Sequence, residues 1–404
     1  MLVESMSDSD FSYDDLFDGS ETDIDICDDR SHKRLRGDVS SCSRAVSPDA
    51  KRMKEQQRLL DDYMVSNKSW RHLILLSEMP LATKAIAMEK VVALDKMSME
   101  NSEYHKMNEW LQKLTKISFG SYTPTIVTMN SPRKQITGFL NNAKARLDEV
   151  VYGMDNAKME ILQYLAQSIS NPTACGNVIG LQGQPGTGKT TLIRQGLAKV
   201  LGKHCECIAL GGATDASFLK GHSYTYEGSQ CGRILTGMMQ SPTMDPIIFF
   251  DEVDKLSKTP RGDEVAGVLL HLIDPSQNYQ YRDDFYSDID FDMSRVTFVM
   301  CFNDADKIDP ILRDRIKIIN VPSYSMSEKK QIAFNFLIPK CAKETGFEPG
   351  DIVWTDAFLD ALLLLSIEEG GARSLEQDIK TVMLKLNTVR LGSASLMPYR
   401  IAKF

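Results

Sequence analysis

The stretch Gly183-Gln184-Pro185-Gly186-Thr187-Gly188-Lys189-Thr190 constrains this chain more than any other. It meets the pattern G-x-x-x-x-G-K-[ST] at every fixed position. An apolar, strand-like run, Val178-Ile179-Gly180-Leu181, precedes it, and a helical pattern from Thr191 to Ala198 follows. Strand, glycine loop and helix are the context that makes such a stretch a phosphate cradle. Glycines let successive backbone N–H groups turn toward an anion with no Cβ in the way. The helix N-terminus adds partial positive charge at the same point. In that cradle Lys189 would neutralise β- and γ-phosphates and the Thr190 hydroxyl would hold Mg²⁺, with Thr191 adjoining. The stretch therefore points to a bound nucleoside triphosphate.

Around it, helical patterns alternate with short apolar runs from about 147 to 322. The candidate strands are Val178–Leu181, Cys207–Leu210, Pro246–Phe250, Val296–Phe302 and Ile316–Val321. Unbroken apolar runs of this length suit parallel strands buried on both faces. The alternation implies an α/β P-loop fold, a parallel sheet flanked by helices. Residues 51–146 read as a helical segment, with Pro80 separating two helices and Pro132 opening a later one. Residues 323–391 read as a small helical domain, with Ser327 and Thr355 as candidate caps and Gly370-Gly371 dividing its last two helices. Residues 392–404 are read as a tail.

Residues 1–50 read as a disordered tail, because every charged side chain before Arg30 is acidic and Ser, Asp and Gly dominate. Its interspersed aromatics could dock a partner. Basic clusters at 33–36 and 51–54 could act as a nuclear import signal, and the chain is otherwise expected in the cytoplasm. A net charge of −8 and a pI near 5.4 argue against non-specific nucleic-acid binding. No apolar run is long enough to span a bilayer, so no membrane is expected. Of the eight cysteines, Cys205 and Cys207 form the one close pair. They lack two further ligands at zinc spacing and are expected to be buried core thiols in a reducing compartment.

A second set of residues carries chemistry. The run Pro246 to Phe250 ends in Asp251-Glu252, and ligands of doubly wound sheets sit at the carboxyl ends of strands. Asp251 would join the Mg²⁺ shell, and Glu252 would polarise the attacking water as general base. The strand Val296–Phe302 ends at Asn303, an amide able to orient that water. Arg315 follows Pro310-Ile311-Leu312-Arg313-Asp314, and an arginine presented to a neighbour's phosphate stabilises transition-state charge.

Taken together, the order phosphate loop, Asp-Glu, Asn, Arg and a helical lid opening on Gly371-Ala372-Arg373 resembles that of AAA+ ATPases. The local wording is similar to the ATPase module of the Lon protease family. It lies in LDEVVYGMDNAKMEILQYLA, ALGGATDASFLKGHSYTYEGS, FFDEVDKLS, RGDEVAGVLLHLIDPSQN and GGARSLEQ, together spanning about 147–391. Residues 80–146 also resemble the helical segment that precedes the ATPase in Lon.

The resemblance implies that Tyr152 and Gly153 flank the adenine of ATP. It implies that Asn303 is sensor 1, Arg315 the trans-acting arginine finger and Arg373 the sensor 2 arginine. Tyr226 matches the pore-loop aromatic that grips unfolded polypeptide, and an aromatic offers grip on any side chain. The expected assembly is a homo-oligomeric ring, taken as a hexamer, acting on unfolded or partly folded protein alone or with a separate protease. Three departures bear on this. No Pro-x-x-Ser-Ala-Gly-type serine segment with a paired lysine follows Leu391, so peptide hydrolysis is not expected. An acidic tail stands where Lon has a large globular N-terminal domain. Glu227 follows Tyr226 where Lon has an apolar residue. Competing readings are a clamp-loader or helicase-loader type of nucleic-acid remodelling ATPase and a nucleotide-binding scaffold.

Overall fold

A computed structural model describes residues 69–171, 178–213, 215–226, 228–256, 259–365, 370–392 and 399–401. The acidic tail, both basic clusters and Glu227 lie outside the described residues.

Five strands form the central sheet: β1 (Val178–Gln182), β2 (Cys205–Ala209), β3 (Ile247–Asp251), β4 (Thr297–Phe302) and β5 (Lys317–Asn320). Their spatial order is β2-β3-β4-β1-β5, and every pairing is parallel. The expected α/β P-loop NTPase fold is the one observed. Register places Gln182 opposite Phe302 and Phe250 opposite Met300. The loops that leave β1, β3 and β4 therefore emerge side by side at one edge.

Side chains alternate across the strands and both faces are buried. Val178, Ile248, Phe250, Phe298, Met300 and Phe302 enter one core. Ile179, Leu181, Ile247, Phe249, Val299 and Cys301 enter the opposite one. The first core also takes residues of α1 (Trp70–Leu76), α2 (Leu81–Leu94) and α3 (Ser102–Thr115), chiefly Trp110, Leu111 and Leu114. The second is covered by α4 (Arg133–Val150), α5 (Asp155–Ser170) and the helix 189–201 that leaves the phosphate loop. Pro80 and Pro132 occupy the N-caps of α2 and α4, where a missing N–H is no loss. The helix 189–201 is not regular. Over Leu192–Leu197 it widens to a π-helix, a form frequent at functional sites.

Beyond the sheet, a helical lid has its own core, built on Ile332, Cys341, Leu359, Leu375 and Ile379. It comprises a helical run 326–345, again with a π-turn at Ala333–Leu337, and the helices Asp356–Leu365 and Arg373–Gly392. Ser325, not Ser327, caps its first helix, through a reciprocal capping box with Glu328. Thr355 accepts from the Phe358 N–H at 3.4 Å, as expected of a cap. Ile352–Trp354 pairs in parallel with Tyr399–Ile401, so the expected tail contains a short strand.

The thiol expectation needs correction. Cys205 and Cys207 do share a face, but they are half-buried, because β2 is an edge strand with one neighbour. Burial still pushes the Cys205 thiol up to about 11 and raises that of Cys207. No helix among the described residues is long and apolar enough to cross a membrane.

Candidate functional site

The strand ends of β1, β3 and β4 open into a cleft of about 940 Å³ between the sheet and the lid. Residues Pro185 to Thr191, Asp251, Glu252, Asn303, Tyr152 and Arg373 all line it. Sequence positions 152 to 373 thus converge on one space.

The phosphate loop is shaped by its glycines. Gly186 and Gly188 hold φ of +75° and +94°, the left-handed region that side chains disfavour. A Cβ on Gly183 would lie 2.6 Å from the Val321 carbonyl oxygen. The Gly183 N–H donates to the Phe302 carbonyl at 3.1 Å, which seats the loop beside the strand that ends at Asn303. Lys189 folds back over the loop, its Nζ donating to the carbonyls of Gly183 at 2.6 Å and Gln184 at 2.9 Å. Burial lowers its pKa, partly opposed by neighbouring acidic groups that include Asp251. The Thr187 hydroxyl donates to the Gln184 carbonyl at 2.9 Å.

Asp251 ends β3 with its carboxyl raised by burial, although its own Oδ1 accepts from the Glu252 N–H at 2.9 Å. Glu252 adopts φ +59°, which is uncommon for a residue with a side chain. Its carboxylate forms an ion pair with Lys255 and rests against Gly211, where an added Cβ would make the carboxylate shift.

The residues present fit magnesium-bound nucleotide. The loop's glycines leave room for phosphates, Lys189 supplies a movable cation, and Thr190 and Asp251 supply hard oxygen donors on one cleft. Among the described residues there is no cluster of three or more metal-ligating side chains.

Other sequence candidates sit apart. Gly153 has φ +63° in the tight turn between α4 and α5, directly after Tyr152. Arg315 does not line the cleft; it pairs with Asp274 at 2.6 Å and is 43% exposed. Hydrogen bonds from Ser276, and then from Arg315, hold the Asp274 carboxyl down at about 2. Tyr226 is 69% exposed, on a loop closed at its base by a Gly221–Cys231 bridge.

Some lining residues carry no motif. The Tyr324 hydroxyl donates to the Thr187 carbonyl at 2.6 Å and lies 3.3 Å from the Tyr152 carbonyl. It bridges the phosphate loop to the Tyr152 turn. Phe336 and Leu337 line the cleft from the lid's π-turn, and Ile332 from the end of the α-helical turn before it. No motif marks Tyr324, whose partners lie 172 and 137 residues away in the chain.

A Walker-type loop, a strand-end acidic pair and a lid over a five-stranded parallel sheet define a P-loop ATPase fold. Residues 179–323 match the ATPase family associated with various cellular activities (AAA). The chain is 33% identical over 335 residues to the Lon protease of Syntrophus aciditrophicus (strain SB), covering 82% of this chain and 40% of that one. It is 31% identical over 371 residues to the Lon protease of Elusimicrobium minutum (strain Pei191), covering 91% and 43%. Against the Lon protease homolog of Acanthamoeba polyphaga mimivirus it is 39% identical over 253 residues, covering 62% and 25%. The chain therefore carries an AAA+ ATPase module related to that of the Lon proteases. It spans about a quarter to two fifths of the length of these relatives.

Proposed function

We propose that this chain is an ATP-driven ring ATPase that pulls on unfolded or partly folded protein. The carrying observation is that one cleft gathers the phosphate loop, the Asp251-Glu252 pair, Asn303 and Arg373, while Arg315 stands outside it. Bound Mg·ATP supplies the phosphoanhydride bond whose hydrolysis drives the cycle.

In this reading Lys189 leaves the loop carbonyls for phosphate oxygens, and Thr190 and Asp251 hold the metal. Glu252 separates from Lys255 to take a proton from water that Asn303 orients. Arg373 lies on the lid helix and reports phosphate charge to it. Arg315 completes the site of a neighbouring subunit, which makes a closed ring, taken as a hexamer, the active form. Tyr226 offers its exposed ring to the polypeptide.

The test is ATP turnover with either a permanently unfolded protein, reduced and carboxymethylated lysozyme, or duplex DNA. Stimulation by the protein alone, lost in Tyr226→Ala, supports the reading. Stimulation by DNA alone would replace it with nucleic-acid remodelling, and stimulation by neither would leave only an ATPase.

A further inference from the structure

We infer that Lys90, in the helical segment before the sheet, is a positioning residue for the loop that carries Tyr226; this rests on the pore-loop reading above. The loop holds two tyrosines in unlike settings. Tyr226 is exposed, whereas Tyr224 is half-buried and packs against the first core.

The Nζ of Lys90 lies 4.5 Å from the centre of the Tyr224 ring and donates to its hydroxyl at 3.3 Å. The same Nζ lies 4.9 Å from the ring of Trp110 on α3. One cation thus bridges an aromatic of the helical segment and an aromatic of the loop. The contacts close on themselves. Tyr224 meets Phe285 edge-on at 6.4 Å, Phe285 meets Tyr286 at 5.0 Å, and the Tyr286 hydroxyl donates to the Trp110 carbonyl at 3.0 Å. Lys106 adds a hydrogen bond to the Thr225 carbonyl at 3.4 Å.

A cation near two aromatic rings is attracted by their quadrupoles, most strongly when partly desolvated, and here Nζ sits toward the hydroxyl end of the Tyr224 ring. Trp110 is 2% exposed and cannot move without breaking the core. The fixed end of the clamp is therefore Trp110, and the held end is the loop. The residue two places on, Tyr226, is left to face solvent at a set height. The loop's own bonds could not do this. Tyr226 N–H to the Ser223 carbonyl at 3.2 Å and Ser229 N–H to the Tyr226 carbonyl at 3.4 Å shape the loop but attach it to nothing else.

Two measurements test the clamp, on the full chain in its ATP-bound assembly. Lys90→Met keeps the apolar stem and removes the charge; Lys90→Arg keeps a cation. Chymotrypsin cleavage after Tyr224 and Tyr226 reads loop anchoring without reference to function. It should quicken about threefold to tenfold in Lys90→Met and return toward the wild-type rate in Lys90→Arg. The concentration of reduced, carboxymethylated lysozyme giving half-maximal ATPase stimulation should rise by a similar factor, with stimulation at saturation kept.

Unchanged cleavage in a folded Lys90→Met, judged by its melting temperature, overturns the clamp. Faster cleavage with an unchanged half-saturating concentration overturns its role in grip. Should Lys90→Met not fold, Tyr224→Phe, which removes only the hydroxyl acceptor, must show the same two changes in smaller degree or the inference fails. If wild type is not stimulated at all, the pore-loop reading fails and takes the inference with it, whatever the cleavage rates.

Discussion

The backbone N–H of Ala372, where the last lid helix begins, donates to the carbonyl of Gly186 in the middle of the phosphate loop, at 3.1 Å. A Cβ on Gly371 would lie 2.1 Å from the Pro185 carbonyl oxygen, so lid and loop meet backbone to backbone. Gly371→Ala should force them apart. Overpacking of this kind costs about 1–3 kcal/mol, and nucleotide affinity should fall about tenfold. Titration with a fluorescent ATP analogue measures it, and unchanged affinity would show that the contact is dispensable for binding.

Glu252→Gln keeps the side chain's shape but removes its capacity to accept a proton. It should retain nucleotide and lose turnover by about 10²–10⁴. Filter binding and single-turnover hydrolysis separate the two. Equal hydrolysis in both proteins would remove Glu252 from the role of base.

Arg315 lies outside its own chain's cleft, which makes subunit mixing informative. Arg315→Ala and Glu252→Gln should each be inactive alone. Mixed in equal amounts, they should form wild-type sites at about a quarter of interfaces by random assembly. Recovered turnover in the mixture supports action in trans. Continued inactivity, with mixed rings shown by mass, would sink it.

Asp283 is fully buried at the root of the Tyr226 loop, accepting from the Gly232 N–H at 2.9 Å and the Phe285 N–H at 3.0 Å. Those donors favour the charged form, but burial wins and raises the carboxyl from 3.8 to about 7. The folded chain therefore keeps a proton that the unfolded chain releases. The stability this group contributes is full below about pH 4 and is lost as pH rises through about 7, an effect on the order of a few kcal/mol. Urea midpoints measured between pH 4 and 8 should fall across that window more steeply in wild type than in Asp283→Asn. Parallel slopes would place the dependence elsewhere.

The sheet was legible because parallel strands buried on both faces announce themselves as apolar runs. Val178–Leu181 and Val296–Phe302 lie within a residue of the observed β1 and β4. β2 was less legible: it starts at Cys205, and its exposed edge dilutes the apolar signal. In the cleft, the glycine loop and the acidic pair carried motifs, so their convergence with Asn303 and Arg373 could be anticipated. Tyr324, Phe336 and Lys90 could not, since each acts through a contact more than a hundred residues away or through a helical irregularity. Ser327 was expected to cap the first lid helix, but Ser325, two residues earlier, holds the reciprocal box with Glu328. The strand pair Ile352–Trp354 and Tyr399–Ile401 is too short to leave a periodic trace.

The lid owns a core separate from the two that sandwich the sheet. Near the phosphate loop its attachments include polar ones, the Ala372 N–H to the Gly186 carbonyl and the Tyr324 hydroxyl to the Thr187 carbonyl. A swing of the lid as a rigid body would break hydrogen bonds that water can replace and would strip the lid core from the ring of Tyr152, which packs against it. Under the proposed function, occupancy of the cleft would set the lid's angle while the separate cores of lid and sheet stay intact.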